Sequence, residues 1–314
     1  MQLIKNRIFL AKLETVIGTD PTPTVGSNAV EVRNLKMGYS AAVLTRDNIR
    51  GNISQVAPVI GSRFVDISFD VEMKGSGAVG TAGQLSAILQ ACSFAETASA
   101  GSSVVYLPTS VQNAKTITIY VYNLDAGSAR LHKITACVGN VSFKIDAGQI
   151  AIASFTMKGK YNLPTDVALP STPTYESTTP PAVENAAFSL NSVTSLILKS
   201  LGIDMGNVTS TLDDISSPNG INKFIVSARM PKGTFAPEAA LVVGYDWWSD
   251  WVASTKRALS VTVGATAGNI ITITAPKVVI DSIKDGDNQG VLTTDNSFQL
   301  GLNAGDDEIQ IKFT

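Results

Sequence analysis

The chain has 314 residues, with 24 Lys and Arg against 26 Asp and Glu, a formal net charge of −2, and only 16% charged residues. That balance offers no clustered basic footprint to displace counterions from a phosphate backbone, which excludes tight nucleic-acid binding as a function class. The length is that of two domains, each large enough to bury a core, and no run of about 18 apolar residues predicts a bilayer-spanning helix.

The opening MQLIKNRIFLAKLETVIG is interrupted by Lys12 and Glu14 too early for a secretory apolar region, and reads as a folded arm. Val32 to Leu44 reads as a first strand, followed by a long link from Arg46 to Gly61. Phe64 to Met73 then alternates Val65, Ile67, Phe69, Val71 and Met73 with Asp66, Ser68, Asp70 and Glu72. Period-two alternation predicts a strand with one packed and one polar face. Thr81 and Gln84 form a capping-box pattern before Leu85, Ile88, Leu89 and Cys92, whose spacing predicts an amphipathic helix.

Further strands are predicted at Thr116 to Tyr122, His132 to Ala136 and Val141 to Asp146, and each has a counterpart about 140 residues later: Leu259 to Val263, Ile270 to Thr274 and Val278 to Ile283. Ser154-Phe155 is likewise answered by Ser297-Phe298. A constant offset in unchanged order is the mark of a duplicated unit. The second copy supplies its own first strand at Leu196 to Val208, a shorter link at Leu212 to Gly220, and an alternating strand carrying Phe224, Val226, Ala228 and Met230. A helix starting near Pro237 is expected to place Leu241, Tyr245, Trp248 and Val252 on one stripe, with Trp247 or Trp251 facing a neighbour. Leu163 to Glu184 carries five prolines among Ser and Thr, a composition that favours extended chain. The expected organisation is a first module over residues 1–163, a Pro-rich linker at 164–184 and a second module over 185–314, mainly β with one flanking helix per module.

No residue pattern carries a reaction. Gly75-Ser-Gly77-Ala-Val-Gly80 is a literal G-x-G-x-x-G between strand and helix. A dinucleotide-binding first strand is buried on both faces, and the three acids Asp66, Asp70 and Glu72 would be costly there. A strand-to-helix loop is the better account. Asp285, Asp287, Gln289 and Gly290 resemble the start of a calcium loop, but Asn296 stands where the bidentate Glu is needed, so a turn is expected. His132 is the only histidine and sits in a strand-like run. One His with two Cys cannot build a structural zinc site. Cys92 and Cys137 lie in apolar patterns and are expected as free thiols, and no cofactor is expected.

The stretches AKLETVIGTDPTPT, NAVEVRNLKM, VDISFDVEMKGSGAVGTAGQLSAILQACSFAET with SSVVY, AGNIITITAPKVVIDSIKDGD and GDDEIQIKFT together resemble the major tail tube proteins of long, flexible, non-contractile tailed bacteriophages and related prophages. The resemblance implies two tandem tail-tube-like β-sandwich modules that join sheets with neighbouring copies into a β-barrel tube. Six modules per ring would then mean three chains, a pseudo-hexameric homotrimer, stacked along the tail as a conduit for DNA ejection. It also implies a virion location after assembly from the host cytoplasm, with tail terminator and distal tail or tape-measure proteins as partners. DNA would pass through the lumen without specific binding.

On that reading Asp66, Ser68, Asp70 and Glu72 are candidate lumen residues and an acidic wall would repel DNA, but Lys223 and Arg229 occupy the corresponding face in the second copy, so the sign of the lumen depends on register. Arg46, Asp47, Asn48 and Arg50 of the long link, with Leu13 and Thr15 of the amino-terminal arm, are candidates to reach the adjacent ring. Two other readings compete. One is a surface or carbohydrate-binding module presenting Trp247, Trp248 and Trp251; the other is a secretion-system tube protein.

Overall fold

Alternation and β-branched runs become strands along most of the computed structural model, which describes residues 3–111, 115–191, 193 and 196–314. Strands account for 55% of the described residues and helices for 5%. In order, the first half contains β1 (Arg7–Leu13), β2 (Arg33–Arg46), β3 (Val56–Glu72), helix α1 (Ser86–Ala91), β4 (Phe94–Ser99), β5 (Ser103–Pro108), β6 (Ile117–Asp125), β7 (Ser128–Asp146), β8 (Ile152–Tyr161) and β9 (Thr165–Ala168). The second contains β10 (Ala187–Leu190), β11 (Leu198–Asp204), β12 (Asn207–Asp213), β13 (Ile221–Arg229), β14 (Lys232–Pro237), helix α2 (Trp247–Val252), β15 (Arg257–Val263), β16 (Ile271–Asn288), β17 (Val291–Leu300) and β18 (Gln310–Phe313).

Antiparallel pairing runs β1–β6–β7–β8–β3–β2 in the first half. The same order recurs as β10–β15–β16–β17–β14–β11 in the second. β7 and β16 are long enough to serve two layers: β7 pairs with β6 through its first part and with β8 through its second, across a bulge between Thr135 and Val138. β16 divides in the same way between β15 and β17. A bulge bends a strand, so one strand turns the corner of a sandwich.

The layers meet through aromatic side chains. Phe9 of β1 lies 4.6 Å from Phe69 of β3, which stacks on Phe155 of β8 at 5.3 Å. In the second half Phe235 of β14 contacts Phe188, Phe298 and Trp247. Each buried ring of this kind contributes about 2–3 kcal/mol relative to exposure. The buried apolar cluster is continuous from Phe9 to Phe313. β18 joins the halves by pairing with β16 on one side and β5 on the other. The Pro-rich segment is extended but tied down: β9 pairs with β7, and Lys74 donates to the Glu176 carbonyl at 2.7 Å.

Both helices differ from their sequence signals. α1 begins at Ser86 with apolar Leu85 in the N-cap position and so has no side-chain cap, while the Gln84 side chain accepts from the Glu31 amide. Pro237 does not start a helix; it ends β14, paired with Leu198. α2 starts ten residues later, capped by Asp246, whose carboxylate accepts from the Ser249 amide at 3.0 Å. Leu241 is therefore exposed rather than part of a buried stripe, while Trp247 is fully buried. The first strand of the second half is broken at Met205–Gly206 into β11 and β12.

Candidate assembly surface

Eight strands, β2–β3–β8–β7 followed by β11–β14–β17–β16, form one wall. Val65, Ile67, Phe69 and Val71 of β3 are buried, so Asp66, Ser68, Asp70 and Glu72 stand half-exposed on the opposite face. Residues directly opposite in an antiparallel pair share a face, which lets that polar face be followed across the wall. Asp66 lies opposite Lys158, Ser68 opposite Lys36 and Thr156, and Asp70 opposite Arg33 and Ser154. Beyond β8 come Asn140, Ser142 and Lys144 of β7, then Asp204 of β11, Lys232 of β14 and Gln299 and Ser297 of β17.

Charges of both signs are interleaved. Arg33 pairs with Glu72 at 3.1 Å and Lys144 with Asp146 at 2.7 Å, while Asn34 donates to Asp70 at 2.7 Å and Asn140 to Asp204 at 2.6 Å. The acids of β3 are one row of a mixed polar wall, not a purely acidic surface. Cross-strand register, invisible within any one strand, decides this.

Two hairpin arms project from the wall. The second, β12–β13, crosses the end of the polar face, where Phe224 and Ile221 pack against Val138 and Phe64. The first, formed by the outer parts of β2 and β3, leaves Val43, Leu44, Val59 and Ile60 exposed, with Ile49 and Ile53 fully exposed at its tip. Arg46 closes β2, and Asp47, Asn48 and Arg50 lie exposed in the turn region that follows. Leu13 is placed otherwise. It ends β1 opposite Ile117 and packs on the main core, so it belongs to a core-packed strand rather than to a free arm, whereas Thr15 is exposed.

The arm around Thr15 is anchored by Glu14. Its buried carboxylate accepts from the Gly18 and Ala136 amides and the Thr116 and Thr118 hydroxyls, all at 2.6–2.7 Å. Nearby, burial pushes the Asp20 carboxyl up, but hydrogen bonds from Tyr120, the Thr22 amide and Lys133 outweigh this and leave it below its ordinary range.

Where the two halves join, β11 pairs antiparallel with the end of β7, from Ser200 opposite Asp146 to Asp204 opposite Ser142. Beyond the last pair the Met205 amide donates to the Val141 carbonyl at 3.1 Å. The Asn207 side chain donates to the carbonyls of Cys92 and Gly139. Gly206 makes the bend with φ +60, and a Cβ there would lie 2.3 Å from the Met230 carbonyl oxygen. Sequence reading missed this seam. Its signal was Lys36-Met37-Gly38 recurring as Asp204-Met205-Gly206.

The remaining motifs have structural roles. Gly75 and Gly77 interlock with a second loop: the Gly77 amide donates to the Gly268 carbonyl at 3.0 Å, and a Cβ on Gly75 would lie 2.0 Å from that oxygen. The glycines permit two backbones to touch. Gln289 and Gly290 make a two-residue hairpin turn between Asn288 and Val291. His132 is buried between Tyr39 and Asn123, its imidazole held below the usual range by burial and by Arg130 and Arg7. Cys92 and Cys137 are free and buried. Among the described residues no group of three His, Cys, Asp or Glu is arranged to hold a metal. No described helix is long and apolar enough to cross a membrane.

A family model for phage tail tube proteins matches residues 5–303. The chain belongs to the phage tail tube protein family. No curated protein matches it by sequence. Family membership gives the tail tube chain a structural role in the virion tail and makes self-assembly into a tube its central property. Trp247 is buried in the core of this tail tube chain, which leaves Trp248 and Trp251 as its exposed tryptophans.

Proposed function

We propose that three copies of this chain close into a ring of pseudo-sixfold symmetry, and that rings stack into the tail tube through which DNA is ejected into the host. The supporting observation is the recurrence of one pairing order in the two halves, each contributing four strands to a single wall. Residues 1–163 and 185–314 then act as tandem tail-tube-like sandwich modules, and 164–184 bridges them. Three chains would supply about 24 strands. At ordinary strand spacing and barrel tilt that closes a backbone cylinder roughly 45 Å across, wide enough to admit a double helix after side chains fill its rim.

Closure also explains how the unpaired edges of β2 and β16 are protected, since a ring has no sheet edge. In the ring Asp66, Ser68, Asp70 and Glu72 face the lumen beside Lys36, Lys158 and Arg33, so passing DNA meets a hydrated surface of mixed sign. The hairpin tip with Arg46, Asp47, Asn48 and Arg50, together with Thr15 positioned by Leu13 and Glu14, contacts the adjacent ring. Tail terminator and distal tail or tape-measure proteins cap the stack, which assembles in the host cytoplasm.

Negative-stain electron microscopy of the concentrated protein tests this reading. Hollow tubes with three chains and a six-lobed outline per ring are expected. Six chains per ring would overturn the assignment of two ring modules to each chain.

A further inference from the structure

The seam between β11 and β7 has an unfilled counterpart at the two ends of the wall. Matching the pairing orders aligns β2 with β11–β12, because Lys36 lies opposite Ser68 as Asp204 lies opposite Lys232. The same matching aligns the end of β7 with β16, because Val141 lies opposite Phe155 as Ile280 lies opposite Phe298. Ser142–Asp146 of β7, which receives β11, thus corresponds to Ser282–Gly286 of β16. Those residues pair with β17 alone, and β2 pairs with β3 alone. One chain therefore offers a strand at one end of its wall and a receiving edge at the other, the head-to-tail arrangement that generates rings.

Resting on the tube reading, we infer that β2 of one chain seats antiparallel on the β16 edge of a second copy, with Lys36 opposite Ser282, and that β2 bends at Met37–Gly38 when it does so. Three observations carry this. Lys36 arrives beside the bulged Asp281, whose carboxylate already gathers the Ser297 hydroxyl and the Gln299 amide. A cation there gives the Asp281 carboxylate a partner of opposite charge. The receiving region is also flanked by exposed apolar surface on α2, at Trp251 and Val252, with the Trp251 indole donating to the Asp281 carbonyl at 3.2 Å. The corresponding end of α1 is already occupied, by Asn207.

Gly38 supplies the third observation. In the free chain β2 runs through Gly38 as continuous strand without positive φ, and a Cβ there would meet nothing closer than the Asp66 carbonyl oxygen at 3.9 Å. The free fold has no need of glycine at that position. Gly206, its seated equivalent, does need it, because the bend has φ +60 and the Met230 carbonyl fills the place of a Cβ. Glycine at 38 is explained by a conformation that β2 adopts only on a neighbour. Bending also withdraws Tyr39 from His132, which holds its hydroxyl in the free chain, and brings it to the position that Asn207 occupies in the internal seam.

The test mixes two chains that each carry one introduced cysteine, Lys36→Cys and Ser282→Cys, at high concentration under mild oxidation. Native Cys92 and Cys137 are buried and do not compete. A cross-linked dimer is expected, with at least tenfold higher yield than from Lys36→Cys mixed with the off-register Asn288→Cys. The double variant Ser142→Cys, Asp204→Cys cross-links within one chain and serves as the control for geometry. Gly38→Val is expected to keep the melting temperature of the free chain within about 2 °C while lowering the dimer yield at least tenfold. Tubes that form without the Lys36–Ser282 cross-link would overturn this seam and leave the tube reading intact. The cross-link without tubes would keep the seam and defeat the tube reading. A Gly38→Val chain that cross-links as well as the parent would overturn the bend.

Discussion

Asp250 shows how single side chains hold the parts that flank the wall. It is buried at α2, where Arg257 reaches both carboxylate oxygens, at 2.9 and 2.6 Å, and the Tyr245 hydroxyl donates at 2.6 Å. Burial pushes its pKa up, but the Arg257 and Tyr245 hydrogen bonds outweigh that and hold it below the usual carboxylate range. A depressed folded pKa means the contribution to stability is complete above the unfolded value, near pH 4, and fades as the pH falls through the lower folded value. Asp250→Asn is therefore expected to cost about 2–3 kcal/mol at pH 7 by stranding Arg257. The cost should shrink below about pH 3. Urea titrations of both proteins at pH 7 and pH 3 measure this, and an equal difference at both values would show that the ion pair is not the source. Glu14 anchors the other end of the chain through its hydrogen bonds, where four donors would be left without an acceptor if it were removed.

Among the elements, the two hairpin arms are the most instructive contrast. The β12–β13 arm pairs only with itself and rests on the wall through Phe224 and Ile221. The β2–β3 arm has no such seat, which leaves its valines, leucine and isoleucines in water. Phe224→Ala removes a fully buried ring, a change that typically costs about 3–5 kcal/mol in a core. Because the β12–β13 arm is a separate two-stranded sheet, the loss should appear as local opening rather than global unfolding. Hydrogen exchange is expected to accelerate across Asn207–Asp213 and Ile221–Arg229 while β7 and β8 stay protected. Uniform acceleration over the whole chain would mean that the arm is part of the global folding unit.

At the level of the whole molecule, charge balance and wall register set how the polar face would meet a nucleic acid. Net charge is −2, and basic and acidic rows alternate across the polar face. Such a surface releases few counterions on meeting a duplex. Fluorescence anisotropy with linear duplex DNA is expected to show no saturable binding at about 150 mM salt and only a shallow salt dependence below it. Micromolar affinity with a steep salt slope would reveal a basic track that the register does not contain.

The alternation of β3 was legible in the sequence because the strand pleat is local, and Val65 to Met73 needs no distant partner to declare which residues turn inward. The offset near 140 residues was legible because like strands follow in like order along the chain, and the pairing order recurs with them. Residue types alone also pointed to free thiols. The start of α2 was misread, since Pro237 suits a helix start as well as a strand end, and only its pairing with Leu198 decides between them. The contact of Gly75 with Gly268, the pairing of β11 with β7 and the mixed sign of the polar wall each join residues far apart in the chain. By itself, then, the sequence determined the mainly β class and the family. The tertiary structure decided the seam, the exposed edges and the wall's charge, because non-local register follows from the joint packing of all strands and is written in no single segment.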